Sequence, residues 1–245
     1  MIPMEFRFIL VEPSVPENVG SVARALKTFG FHSLAIVNSE VHKEEKAKWV
    51  AHGSREILEQ AKVYSTVNEA VEGLDFIVAT TARRRTLHHD YHSPRELYRL
   101  IGEKEGTIHR IGLLFGREES GLTNEELAVA HCLSTIPLVG TYPSLNLAQA
   151  VLVYAYELSP IQLPGSKAGD SGTGGGQPPG SCLTYHVLHR RARRIFERIG
   201  LGGESLVGRR LLERLALLSS SDLRLVHSLC ARIEKSLALE EEGKA

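Results

Sequence analysis

The sequence predicts an α/β protein, a parallel sheet with helices on both faces, followed by a small all-α module. Three observations predict it. First, apolar runs of strand length (Phe6–Val11, Leu34–Val37, Leu74–Ala79, Ile111–Phe115 and Leu133–Ile136) alternate with stretches of helical periodicity. Strands alternating with helices at this rhythm belong to sheets covered on both sides. Second, between Ile111 and Leu158 two strands run into glycine-containing loops, and each loop hands over to a helix. Strand ends that meet helix starts gather backbone N–H groups around one cavity, which suits a small polar ligand. Third, the composition changes sharply at Pro160–Gly180, and arginine-rich helical periodicity follows it.

Taken in order, the first strand ends in EPSVPEN, a proline-marked loop from which Glu17 or Asn18 opens a helix. That helix carries Val19, Val22, Ala23, Leu26 and Phe29 and stops at Gly30, in the C′ manner. A weak helical stretch over 40–52, a short strand at Val63–Ser65 and a short helix at Thr66–Val71 follow the second strand. After Leu74–Ala79 comes TTARRRTLHHDYHSPREL, in which Ser93 and Glu96 have capping-box spacing. Thr123 and Glu126 have the same spacing before the next helix. A final helix over Ser144–Leu158 presents Leu147, Val151, Tyr154 and Leu158 on one side.

Residues 160–180 read as a flexible linker rich in Gly, Pro and Ser. Their GTGGGQ follows no strand, so a phosphate-loop or dinucleotide reading fails on context. The chain divides on this basis into 1–159, the linker 160–180, and a helical extension 181–245 with helices near 184–199, 204–217 and 221–239. The extension is expected to be held by its own apolar stripe or by docking on a dimer.

Bulk properties exclude several classes. At 245 residues the chain can bury one sizeable core plus a smaller unit, and its formal net charge is zero. Cys132, Cys182 and Cys230 form no CxxC pair, which argues against a disulfide framework or zinc knuckle. The opening residues read as a first strand rather than a signal peptide, no run reaches membrane-span length, and a cytoplasmic protein is expected. His88 and His92 stand at i, i+4 without a third ligand, so no metal is expected.

Three short constellations could carry chemistry: NVGSVAR from Asn18 to Arg24, GREESGL from Gly116 to Leu122, and IPLVGTYPSLN from Ile136 to Asn146. Each alone is a capped helix or a turn. Together and in this order, NVGSVARALKTFGF, LLFGREESGL and IPLVGTYPSLNLAQA resemble the three motifs of the SPOUT superfamily of RNA methyltransferases, in its TrmH-like (SpoU) branch. The resemblance covers residues 5–158. The NEEL run at Asn124–Leu127, the R-x-R-T-L run at Arg83–Leu87 and the helical extension are similar to the TrmJ group of that branch.

The resemblance implies a deep trefoil knot in the C-terminal part of residues 1–158, a homodimer with each site completed across the interface, and S-adenosylmethionine as cofactor. It implies methyl transfer to a ribose 2′-oxygen of tRNA, at nucleotide 32 of the anticodon loop, on cytidine and possibly uridine. By the same resemblance, Thr80, Thr81, Ala82, Gly116, Ile136, Leu138, Pro143, Ser144, Leu145 and Asn146 form the cofactor pocket. Ile136 and Leu145 are apolar enough to sandwich an adenine, and Gly116 is expected to let backbone approach the ligand. Asn18, Arg24, Glu118, Ser144 and Asn146 match the polar group around the 2′-hydroxyl. A guanidinium is permanently charged, so Arg24 is read as holding phosphate and the nascent alkoxide, not as a base.

For RNA, Arg83, Arg84 and Arg85 form a basic loop with His88, His89 and His92. In the extension, Arg190, Arg191, Arg193, Arg194, Arg198, Arg209, Arg210 and Arg214 outnumber Glu197, Glu204 and Glu213 eight to three. Two alternatives stand beside tRNA ribose methylation. One is rRNA methylation within the same branch, whose members often carry an N-terminal RNA-binding extension instead. The other is a non-catalytic RNA-binding protein on the same scaffold, which would be expected to have lost some of the five polar residues.

Overall fold

The structure is a computed structural model that describes residues 4–82, 91–140, 145–162, 185–202 and 205–242. Seven strands form one sheet: β1 (Glu5–Val11), β2 (Ser33–Val37), β3 (Lys62–Tyr64), β4 (Phe76–Thr80), β5 (Tyr91–His92), β6 (Arg110–Phe115) and β7 (Cys132–Ser134). Their spatial order is β3-β2-β1-β6-β4-β7-β5, and every pairing is parallel. The long strands are apolar throughout because both faces are covered, and alternate side chains enter separate cores. Phe8 and Leu10 of β1 join the larger cluster, while Ile9 and Val11 join the smaller one. Phe76 and Val78 of β4 likewise part from Ile77 and Ala79.

Helices α1 (Pro16–Thr28), α5 (Pro94–Gly102) and α7 (Leu147–Leu158) bury their apolar stripes in the larger cluster. The short helices α4 (Val67–Val71) and α6 (Asn124–Ala128) contribute to the smaller one. Two more, α2 (Glu45–Val50) and α3 (Arg55–Glu59), follow β2. Gly20 lets α1 lie against α2, since a Cβ there would stand 2.3 Å from the Ala47 carbonyl oxygen. Both expected capping boxes form, Ser93 with Glu96 and Thr123 with Glu126. Gly30 ends α1 at φ 79° as the sequence requires.

The structure departs from the sequence reading at several ends. α1 begins at Pro16, so Asn18 lies inside the helix and its side chain is free for another role. The cap of α7 is Asn146, whose Oδ1 accepts from the Ala148 and Gln149 backbone N–H groups. α3 and β5 had no periodicity long enough to announce them. The stretch 40–52 is a 3-10 turn followed by α2, too short for a strong helical pattern.

After residue 184 come α8 (Tyr185–Arg198), α9 (Leu206–Leu215) and α10 (Ser220–Glu242). They dock on the chain's own sheet body. Tyr185, Leu188, Ala192 and Ile195 of α8 belong to the same apolar cluster as Phe8 and Phe76. Tyr185 meets Phe76 and His131 edge-on at 5.2 and 5.0 Å between ring centroids. Lys104, fully buried in the turn after α5, donates from Nζ to the Leu218 carbonyl at 2.6 Å. Burial pulls the Lys104 ammonium down to about 8. The linker 160–180 lies mostly outside the described residues.

Candidate active site

In the parallel sheet β1, β6, β4 and β7 are neighbours, so the loops leaving their carboxyl ends emerge side by side. The chain runs from β1 outward through β2 to β3, then returns to the other side of β1 with β4 and β6. This is a topological switch point, where open α/β sheets bind ligands beyond the strand ends.

Three loops bring their polar side chains together there. Asn18, 9% exposed on the inner face of α1, donates from Nδ2 to Glu118 Oε1 at 2.9 Å. Its Oδ1 accepts from Asn146 Nδ2 at 2.6 Å. The other oxygen of Glu118 accepts from the Ser14 backbone N–H and hydroxyl at 3.2 and 3.1 Å. One hydrogen-bonded chain therefore runs from the β1 loop through the β6 loop and α1 to the start of α7. Burial works to raise the Glu118 carboxyl, but hydrogen bonds from Asn18 and Ser14 outweigh it, leaving the group below its ordinary value and ionised.

The remaining expected residues fall into three groups. Thr80, Gly116, Ile136 and Leu145 are half-buried at the strand ends, and Ala82 and Leu138 are exposed beside them. The Thr80 hydroxyl donates to the Leu114 carbonyl at 2.8 Å, and the Thr81 N–H donates to the Ser134 carbonyl at 3.0 Å. Ile136 packs on the main core, whereas Leu138 is 45% exposed, leaving apolar surface beside main-chain groups. Pro143, Ser144, Arg83, Arg84 and Arg85 lie outside the described residues.

Gly116 has a different reason for being glycine than the one expected. A Cβ there would stand 2.2 Å from the Gly121 carbonyl carbon and 2.4 Å from the Leu122 nitrogen. The loop's own backbone at Gly121 and Leu122 fills that space, so the fold of the loop by itself already demands glycine.

Arg24 stands apart from the network. Six residues along a helix at about 100° each turn it roughly 120° away from Asn18. Its side chain is exposed and has no ion pair among the described residues. In the tail Arg190, Arg193 and Arg194 are exposed, Arg193 facing Glu197 at 3.5 Å. Arg191 turns inward, donating from Nε to Glu234 Oε2 at 2.7 Å and meeting His227 at 3.0 Å. It fastens α8 to α10 and is spent on that. Sequence reasoning missed Ser14, which sits in a loop with no periodicity. It also missed Arg117, printed inside the second motif without an assigned partner.

A parallel sheet with a half-buried, ionised carboxylate in a polar chain at its switch point is the arrangement by which open α/β proteins bind ligands. Comparisons with known proteins narrow that class. Residues 5–156 match the SpoU rRNA Methylase family, and residues 184–237 match the C-terminal domain of the tRNA/rRNA methyltransferase LasT. The chain is 42% identical over 235 residues to an uncharacterized tRNA/rRNA methyltransferase, LasT, of Escherichia coli (strain K12), covering 96% of this chain and 99% of that one. It is 42% identical over 153 residues to the tRNA (cytidine-2'-O-)-methyltransferase TrmJ of Methanocaldococcus jannaschii, covering 61% and 65%. The crystal structure of TrmJ from Z. mobilis ZM4 superposes with a TM-score of 0.62 at 29% identity, covering 96% and 100%. The chain belongs to the SpoU methylase family and is TrmJ-like within the SPOUT superfamily.

Proposed function

We propose that this protein methylates a ribose 2′-oxygen of tRNA with S-adenosylmethionine as donor, at nucleotide 32 of the anticodon loop. The observation that carries the reading is the Ser14–Glu118–Asn18–Asn146 chain at the carboxyl ends of β1 and β6. The cofactor supplies a methyl group on a cationic sulfonium, so the transfer itself requires no metal. The residues present suit it. Half-buried Ile136 and Leu145 and exposed Leu138 offer apolar surface for an adenosine, and the ionised Glu118 offers a negative charge near a cation. Thr80, Thr81, Ala82, Gly116, Pro143 and Ser144 complete the assigned pocket.

Asn18 and Asn146 orient the ribose; Glu118 fixes the Asn18 amide and Asn18 that of Asn146, so that no reorganisation is needed as charge develops. Arg24 holds the phosphate and the nascent alkoxide. Its exposed position on α1 suits a homodimer in which each site is completed across the interface. We further assign a trefoil knot to the C-terminal part of residues 1–158, a catalytic domain to 1–159, and a helical RNA-binding extension to 181–245. Arg83, Arg84, Arg85, Arg190, Arg193 and Arg194 make the phosphate contacts, with a cytoplasmic location following from the substrate.

Methylation of rRNA is the second reading, favoured by the family description itself. Mapping the ribose methyl group in tRNA and rRNA incubated with protein and S-adenosylmethionine tests both. A 2′-O-methyl at nucleotide 32 of tRNA is the expected result. Modification confined to rRNA overturns the substrate, and no transfer to either RNA overturns the activity.

A further inference from the structure

The residue next to Glu118, Arg117, is assigned no role in the site, yet its guanidinium is engaged on every side. Arg117 donates from Nε to Glu12 Oε2 at 2.8 Å, where β1 ends. Its two Nη atoms grip Glu126 of α6 at 3.0 and 2.9 Å, fork to fork. Nη1 also reaches the Gly121 carbonyl at 3.3 Å, and the Arg117 carbonyl accepts from the Gly121 N–H at 2.9 Å. Glu12 in turn accepts from Asn38 Nδ2 at 3.2 Å, where β2 ends. One guanidinium thereby ties the ends of β1 and β6, the loop it sits in and the helix that follows.

Two details show that this is more than a surface ion pair. Glu12 and Asn38 hold φ of 47° and 49°, a left-handed conformation that asparagine tolerates but that is uncommon for glutamate. The capping box of α6 is also complete without Arg117, because Thr123 and Glu126 satisfy each other. The fork to Glu126 is therefore additional to what the helix requires.

We propose that Arg117 is a positioning residue for the methyl-transfer site: it fixes the Gly116–Gly121 loop so that Glu118 faces Asn18 and Ser14. Arg117 and Glu118 are consecutive, and their side chains reach opposite partners, the former Glu12 and Glu126, the latter Asn18. Any turn of the loop that releases one displaces the other. The guanidinium also offsets charge. Glu12, Glu118 and Glu126 are all held below their ordinary values, and Arg117 is the cation that two of the three contact.

The inference rests on the proposed function only in the word methyl-transfer, and its first test does not use activity. In Asn-labelled protein, the side-chain amide resonance of Asn18 reports its hydrogen bond to Glu118, and that of Asn146 reports the next bond along the chain, to Asn18. Arg117→Ala is expected to move both toward the positions they take in Glu118→Gln, while Glu56→Gln, in a remote surface pair, leaves them in place. Glu12→Gln and Glu126→Gln, each weakening one arm, give intermediate shifts and serve if Arg117→Ala does not fold. Unchanged amide signals in these folded variants overturn the proposal.

The second test is a double-mutant cycle on turnover at saturating tRNA and S-adenosylmethionine. Arg117→Ala alone is expected to lose about tenfold or more, and under about twofold in a Glu118→Gln background. Arg117→Lys, which cannot form the fork, should recover only part of the loss. Additive losses overturn the proposal. Absence of transfer by the wild type counts against the functional reading, and the amide signals then decide the role of Arg117.

Discussion

Two regions of this molecule gather polar groups, and they do so in opposite ways. At the carboxyl ends of the strands, Glu118, Asn18 and Asn146 satisfy one another at 2.6–2.9 Å and a carboxylate stays ionised. At the seam between sheet and tail, Lys104, His131, His189 and Tyr185 are packed against each other without an acidic partner among these groups. Burial pushes His131 well below the usual range and His189 to about 4, so both are neutral. The first region keeps charge where chemistry can use it. The second keeps its histidines neutral and gains its stability from apolar contact. Polar burial by itself is thus no mark of a site; what distinguishes the site is an ionised group held by oriented donors.

Changes at the strand ends should cost far more activity than stability. Arg24→Ala, outside that chain but placed on the nucleophile side by the proposed function, should lower turnover about a hundredfold or more while calorimetry shows cofactor affinity within a few fold. Near-normal methylation by that variant would remove Arg24 from the mechanism. Asn18→Ala should follow, losing about tenfold or more in turnover, checked by single-turnover methyl transfer.

Changes at the seam should do the reverse. Tyr185→Ala removes a buried ring from the larger core and should cost about 3–5 kcal/mol of stability in denaturant titration, with turnover at low temperature little changed. The seam also sets a pH dependence. His189 binds its proton less readily folded than unfolded, so stability is complete above the ordinary histidine value of 6.5 and lost as pH falls toward about 4, with His131 adding to the fall. Lys104 acts with the same sign at higher pH, adding stability between about 8 and 10.5. Melting temperatures from pH 4 to 7 check the first window, and flat values there would contradict neutral buried histidines. The smallest effect belongs to the tail surface. Replacing Arg190 and Arg194 by Gln should weaken tRNA binding several fold and flatten its salt dependence, measured by filter binding.

Much of this was legible in the sequence because the signals are local. Ser93–Glu96 and Thr123–Glu126 announce helix starts within four residues, and Leu147, Val151, Tyr154 and Leu158 announce a buried face by spacing alone. Asn18, Glu118 and Asn146 came from motif resemblance, since their partners lie about a hundred residues apart and no local pattern joins them. The same distance hid Ser14 and the Arg117–Glu12 pair. Tail docking was hidden because it depends on Lys104 reaching Leu218, a contact that appears in no periodicity.

The contrast between site and seam is tested most directly by measuring single-turnover methyl transfer to tRNA, at saturating S-adenosylmethionine, for Asn146→Ala and Tyr185→Ala beside the wild type, with melting temperatures taken on the same samples. The account predicts that Asn146→Ala loses about tenfold or more in rate while its melting falls only by the few degrees that a lost cap on α7 costs, and that Tyr185→Ala melts far lower yet transfers at close to the wild-type rate. Rates that simply follow melting temperature, or an Asn146→Ala protein that transfers normally, would contradict it.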